Sequence, residues 1–489
     1  MNPVLPGFHP DPSIVGVDGV YYLVTSTFEY LPALPVYRSE DLESWELIGH
    51  VATRDEQVSI ARSPTPGGVW APTIRHHDGR FHLIVSVMFN ARGCVVFTAD
   101  AAEGPWSDGV VIPVVDGIDP DLAWDDEGTA FVTYAVMGQG ILQVRVDLDT
   151  GAALEEPRSL WSGTGLHAPE GPHLYRRGDD WYLLIAEGGT ERGHAVSIAR
   201  GSSPSGPFEG FAGNPILSAR STNSPVQNLG HADLVEAPDG RTALVALGVR
   251  PVGFTRSFSP LGRETFLTTV DWVDGWPRVR PVEVAARSGG VVELLDPERA
   301  LDEQGWLGVR QDPSALVQME PDRVILVGGG DLDDPRPRFV GRRQQHLAAA
   351  FSACVDVADG TGGIAGRHSE THWFSLDARS VDDRVLVTAR AALSGFAHEW
   401  TAELDAGEVV LSIRTRLPSG DRARLERGGD RVLLAAASAA TPDNETVLAE
   451  LDGRYWSFET TESFTGRVLG IYATAGSTRF TGIRYEGMP

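Results

Sequence analysis

Three acidic residues sit beside prolines: Asp11 in His9-Pro10-Asp11-Pro12, Asp119 in Ile118-Asp119-Pro120-Asp121, and Glu170 in Ala168-Pro169-Glu170-Gly171. Hydrolysis of a glycosidic bond needs a protonated carboxyl to assist the leaving oxygen and an ionised carboxylate across the sugar, roughly 6.5 to 9.5 Å away when the configuration is inverted. A third carboxylate nearby would raise the pKa of the acid by like-charge repulsion. Taken singly, Asp-Pro and Pro-Glu pairs mark turns, so placement must decide whether the three act together. Phe28, Tyr30 and Trp70 lie near these motifs and offer flat apolar surface for a sugar face, although most aromatic residues in strands only pack a core.

An internal repeat supplies the placement. Over the first 275 residues a polar, proline-rich segment, an apolar strand, a tight turn and a second strand return five times. The second strands read DGVYYLVTS, DGRFHLIVS, EGTAFVTYA, DDWYLLIAE and DGRTALVAL, most of them opened by an Asp-Gly hairpin signal. Successive turns at Gly19, Gly79, Gly128, Asp180 and Gly240 are 60, 49, 52 and 60 residues apart, a period that fits one four-stranded propeller blade.

The segments before those turns then become the first strands of the blades, nearest the axis: HPDPSIV, WAPTIR, IDPDLAW, HAPEGPHLY and GHADLVE. Four of them begin with an ionisable residue, namely Asp11, Asp119, Glu170 and His231. Repetition at blade-equivalent places favours a shared polar pocket over independent turns.

Bulk properties narrow the class. A chain of 489 residues exceeds one ordinary core, so two domains are expected. Its formal charge of -26 disfavours nucleic acid and anionic membrane as partners. All 41 basic residues are arginine, which removes P-loop and Schiff-base lysine chemistry. Cys94 and Cys354 are the only cysteines, too few for a disulfide framework or a zinc site. The N-terminal MNPVLPGFHPDPS has no export signature, so a cytoplasmic location is expected. Beyond about Gly290 the strand pattern continues without the axial motifs, which indicates a separate all-β sandwich. The expected division is a propeller over 1–285 and a sandwich over 286–489.

The chain resembles glycoside hydrolase family 43, in its group of two-domain β-xylosidases and α-L-arabinofuranosidases. The resemblance rests on NPVLPGFHPDPS, STFEYLPALPVYRSEDLESWELIGH, GGVWAPTIRHHDGRFHLI, APEGPHLY, IAEGGT, GHADLVE, LGRETFL and FVGRRQQH, spread over nearly the whole length. It implies an all-β fold, a five-bladed propeller followed by a concanavalin-like sandwich. It also implies inverting, exo-acting removal of a terminal pentose from short oligosaccharides, with no cofactor required. By this resemblance Asp11 is the general base, Glu170 the general acid, and Asp119 the residue that orients the acid and adjusts its pKa. Phe28 and Trp70 become sugar contacts, Arg263 in LGRETFL contacts sugar hydroxyls, and Phe464 in ESFTGRVLG closes the pocket from the second domain. His231 matches a histidine that in some relatives coordinates a structural calcium ion. Relatives are often dimers or tetramers, so a homo-oligomer is also implied.

Two stretches depart from the family pattern where relatives build the pocket walls. Leu31-Pro32-Ala33-Leu34-Pro35 replaces Phe-Pro-Gly-Val-Pro, and Glu56-Gln57-Val58 replaces Ser-Gln-Leu. Catalysis is therefore better supported than sugar identity; xylose is the first expectation, and arabinofuranose the alternative, alone or as a second activity. A retaining fructosidase propeller is disfavoured, because His9-Pro10-Asp11-Pro12-Ser13 stands where that family has a Trp-Met-Asn-Asp-Pro-Asn type motif. A non-catalytic carbohydrate-binding propeller remains the alternative of a different class.

Overall fold

The computed structural model describes residues 2–488 except 90, 238, 254–256, 286–289 and 419–428. Five antiparallel sheets follow one another along the chain, each with its strands hydrogen-bonded in sequence order. Blade I comprises Ser13–Val17, Val20–Val24, Ala33–Ser39 and Glu46–Ala52. Blade II begins with Gly68–His77, blade III with Ile118–Trp124, blade IV with Glu170–Arg177 and blade V with Gln227–Glu236. The Asp-Gly hairpins behave as their chemistry requires: Asp18 and Gly19 have φ of 49° and 83°, and Asp78 and Gly79 have 48° and 76°. Left-handed values at both central residues match the right-handed twist of the flanking strands.

Each blade is apolar on both faces, so it buries its side chains only against its neighbours. Val24 and Val36 of blade I pack with Leu83, Val85 and Phe97 of blade II. Tyr182 and Leu184 of blade IV pack with Leu244 and Phe266 of blade V. The ring closes where Ile14 and Leu23 meet Val235 and Val245. The N-terminal segment completes that closure: the Val4 N–H donates to the Thr265 carbonyl at 3.0 Å, and the Asn2 side-chain amide to that of Leu267 at 2.7 Å.

The innermost strands carry a feature that the repeat pattern does not show. Four of them shift register, between Val69 and Pro72, Ile118 and Asp121, Glu170 and His173, and Gly230 and Ala232. Such bulges re-aim side chains, often beside active sites. Asp119, Gly171 and His231 have φ of 54°, 53° and 47°, and Asp11, just ahead of the first strand of blade I, has 55°. Strand pairing thus aligns Asp11, Ala71, Asp119, Gly171 and His231. Glu170 stands one residue earlier, level with Trp70 and Ile118, and is not the blade-equivalent of the two aspartates, a correction to the sequence reading.

From Val291 onward the strands form the sandwich, whose core includes Phe351, Val355, Leu376, Ile471 and Phe480. Its two longest strands, Ala348–Arg367 and Val468–Met488, pair antiparallel from end to end. The expected boundary after residue 285 abuts 286–289, which lie outside the described residues. A short strand of the propeller, Tyr30–Leu31, pairs with Leu307–Val309 of the sandwich, so the domains share backbone hydrogen bonds. This pairing buries Tyr30 completely against Phe8. Tyr30 is therefore a packing residue of the domain junction and not a sugar contact.

Candidate active site

One cavity of about 60 Å³ is lined by Asp11, Phe28, Trp70, Ala71, Ile118, Asp119, Glu170, Thr190, His231, Arg263 and Phe464. Every site residue expected from the sequence is in it except Tyr30. The two segments that depart from the family pattern, 31–35 and 56–58, do not line it. They are correspondingly removed from direct choice of the sugar: Ala33 and Leu34 are wholly buried in blade I, and Gln57 and Val58 belong to a short helix, Asp55–Val58.

Asp11 is held on both oxygens. Its Oδ2 accepts from the Ser26 hydroxyl at 2.5 Å and its Oδ1 from the Arg263 guanidinium at 3.2 Å, with His231 Nδ1 3.7 Å away. Burial would raise this carboxyl, but Arg263, His231 and Ser26 outweigh it and hold the pKa below the usual aspartate value. Asp119 is the opposite case. Burial first, then the charges of Glu170 and Asp11, push it well above the carboxylate range, opposed by the Gly171 N–H that donates to it at 3.1 Å. The two aspartates of the chamber are therefore pushed in opposite directions.

That amide bond also explains how Asp119 steers its neighbour, because Gly171 follows Glu170 directly and its position fixes the backbone that carries the Glu170 side chain. Gly171 itself is required: its φ is positive, and a Cβ there would stand 3.0 Å from the His231 ring. His194, which the sequence reading missed, is buried with Nδ1 3.0 Å from the Asn228 carbonyl and Nε2 3.6 Å from Glu170 Oε1. Since the carbonyl can only accept, Nδ1 carries a proton and Nε2 is the nitrogen that faces Glu170. Nothing in the local pattern ERGHAVS signals this; only the fold brings His194 to Glu170.

The walls come from both domains. Phe28 has φ of 52° and exchanges two backbone hydrogen bonds with Val69, and Gly68 allows this approach, since a Cβ there would lie 2.2 Å from the Phe28 carbonyl oxygen. Phe464 reaches in from the sandwich, its ring centroid 5.7 Å from that of Phe28 and 5.6 Å from that of Trp70. Its loop is pinned to the propeller, with Glu459 accepting from both the N–H and the hydroxyl of Ser259 at 2.7 Å. Arg263 ties everything together. Besides Asp11 it donates to Thr190 Oγ1 at 3.0 Å and to the Phe464 carbonyl at 3.2 Å.

Two residues beyond the catalytic level lies a second ring of buried side chains: Ser13, Thr73, Asp121, His173 and Asp233. Arg75 of blade II crosses it, reaching Ser13, Asp121, His173 and Asp233 on the other four blades, which only a position on the axis allows. Its bonds to Asp233 and Asp121 are 2.9 and 2.7 Å. The axial place beneath His231 is thus held by a guanidinium. Burial lowers the His231 pKa, opposed by the charges of Asp11 and Glu170. Calcium takes six to eight oxygen ligands, and among the described residues no group of three or more His, Cys, Asp or Glu could hold a metal ion.

A five-bladed propeller with clustered carboxylates at one end of its axis, capped by a β-sandwich, defines a class of carbohydrate-cleaving enzyme. The model for glycosyl hydrolases family 43 matches residues 1–277, and that for the β-xylosidase C-terminal concanavalin A-like domain matches residues 302–483. The chain belongs to glycoside hydrolase family 43. It is 35% identical to the non-reducing end α-L-arabinofuranosidase of Bacteroides ovatus over 97% of this chain and 91% of that one. To a xylosidase/arabinosidase of Butyrivibrio fibrisolvens it is 38% identical over 97% and 95%. Among solved structures, xylan β-1,4-xylosidase from Bacillus halodurans superposes with a TM-score of 0.88 at 25% identity, covering 100% of this chain and 99% of the other.

Proposed function

We propose that the chain is an inverting, exo-acting glycosidase that removes a terminal pentose, β-1,4-linked D-xylose first, from short oligosaccharides. The observation that carries this reading is the convergence of three carboxylates in one aromatic-walled chamber, with Asp11 paired to Arg263 and held below its usual pKa, and Asp119 bonded to the Gly171 amide beside Glu170 and raised by burial. Glu170 passes a proton to the glycosidic oxygen as the bond to the anomeric carbon breaks. Asp11 accepts a proton from the water whose oxygen bonds to that carbon from the opposite face, so Asp11 ends protonated and Glu170 ionised. Asp119 orients Glu170 through the Gly171 amide. Arg263 keeps Asp11 ionised and offers donors to sugar hydroxyls. The small cavity and the Phe464 cap suit one terminal residue, not the middle of a chain.

A second activity on α-L-arabinofuranosides is supported by the names of the Bacteroides and Butyrivibrio relatives. Initial rates on p-nitrophenyl β-D-xylopyranoside, p-nitrophenyl α-L-arabinofuranoside and xylobiose test the substrate. Proton NMR of the xyloside reaction tests the mechanism: α-xylose is expected as the first anomer, and β-xylose would overturn inversion.

A further inference from the structure

The buried arginines divide sharply when their partners are compared. Arg263, Arg310, Arg342, Arg367 and Arg467 each stand within 4.0 Å of a carboxylate. Arg343 is also buried, yet among the described residues no carboxylate lies at ion-pair distance from it. Its Nε donates to the Phe8 carbonyl at 2.8 Å and its guanidinium lies 4.5 Å over the Phe8 ring, while Nη2 is buried with no hydrogen-bond partner. Near it are Tyr37 and His9, whose pKa is driven well below its ordinary value by burial and then by the Arg343 charge. Removing a cation from water without a counter-charge costs several kcal/mol. In a chain with 67 acidic residues, an aspartate or glutamate partner would be easy to supply.

Arg343 lines a cavity of about 470 Å³ between blade I and the sandwich, far larger than the catalytic chamber and sharing no residue with it. Trp45 stands on its wall with Glu43, Glu303, Gln304 and Gln345. The combination is selective. One unpaired guanidinium calls for an oxyanion, the surrounding carboxylates repel multiply charged anions, and their oxygens accept from hydroxyls. The indole gives a sugar ring a flat apolar face.

We propose that this interdomain cavity is a binding site for a monoanionic sugar acid of the hexuronate class, with its carboxylate on Arg343, its hydroxyls on Glu43, Glu303 and Gln345, and its ring against Trp45. The site is independent of the activity proposed above. Calorimetric titration of the full chain with D-glucuronate, in the presence of saturating D-xylose to fill the catalytic chamber, is expected to show one site that D-xylose does not displace. Arg343→Gln is expected to weaken binding at least about tenfold, the scale of one charge-assisted hydrogen bond. Trp45→Ala, at the cavity wall and safer for folding, is expected to weaken it several-fold with an unchanged Tm. Absence of binding, displacement by D-xylose, or equal affinity in both variants would overturn the proposal. Inorganic phosphate binding as tightly as glucuronate would overturn the sugar-acid assignment.

Discussion

Two layers of carboxylates cross the propeller axis two residues apart, and they are built to opposite rules. In the lower layer Asp121 and Asp233 flank the Arg75 guanidinium, and Asp233 also accepts from Ser13 and Tyr175 at 2.8 and 2.5 Å. In the upper layer Arg263 is the one arginine among the described residues that lines a chamber with three carboxylates, and burial, followed by the charges of Glu170 and Asp11, raises the pKa of Asp119. The lower layer spends its charges on holding five blades together. The upper layer keeps charge unbalanced, on left-handed backbone at Asp11 and Asp119, as strained functional sites commonly do. The same sequence repeat thus yields a structural ring and a reactive one.

The largest effect separating the layers is expected from Asp11→Asn. It removes the proton acceptor and leaves the shape intact, so kcat should fall by about 10² to 10⁴, the scale of lost general base catalysis. The Tm should fall less than on loss of Arg75, because Arg263 keeps its bonds to Thr190 and the Phe464 carbonyl. An equal drop in Tm would show that the upper layer is as structural as the lower one.

Arg75→Met inverts that outcome. It strands Asp121 and Asp233 in the interior, and breaking one partner of a buried ion pair costs about 3 to 5 kcal/mol. Urea unfolding should register the loss. Arg75, which follows burial as the main influence on Asp233, holds that carboxyl below its ordinary value. The associated stability is present above the ordinary aspartate pKa of about 4 and is lost as pH falls through the depressed folded value. The gap between wild type and variant should therefore be widest at neutral pH and close in acid.

Much of this was legible beforehand, for identifiable reasons. Hairpins at Asp18-Gly19 and Asp78-Gly79 are local chemistry, and they set the blade register. From that register, Asp11, Asp119 and His231 fall on the inner strands. The bulges are not local chemistry: they arise from strand pairing, so the one-residue offset of Glu170 could not be read. Tyr30 failed because its partner, Val309, lies 279 residues away across the domain junction. His194 and Arg75 were invisible for the same reason, each acting on residues of other strands or blades.

Glu29 sharpens the contrast from a third side. It follows Phe28 directly, is fully buried, and among the described residues has no hydrogen-bond partner on either carboxyl oxygen. Burial raises its pKa from 4.5 to about 7, with Arg310 only partly compensating. A raised acid lends most to the fold below its unfolded pKa, and that support is lost as pH rises through the folded value. The difference between 4.5 and about 7 corresponds to about 3 kcal/mol. Glu29→Gln should therefore stabilise the protein by about that amount at pH 8 and change nothing near pH 4. A Tm difference independent of pH would sink this account.

The smallest effect belongs to the cap. Phe464 touches Phe28 and Trp70 by ring edges and faces, and Arg263 lies 5.2 Å from its ring centroid. Its loop is held by Glu459 and by the Arg467 to Asp430 pair, not by the ring itself. Phe464→Ala should leave Tm almost unchanged while opening the chamber to water and to longer chains. A cost of about 1.4 kcal/mol in transition-state binding is tenfold in kcat/KM, the drop expected on xylobiose. Xylotetraose, which extends past the missing ring, should lose less. If both substrates lost activity equally, Phe464 would be a general support of the site. A narrowing preference for the shorter substrate would instead show that the sandwich domain restricts the enzyme to chain ends through some other wall.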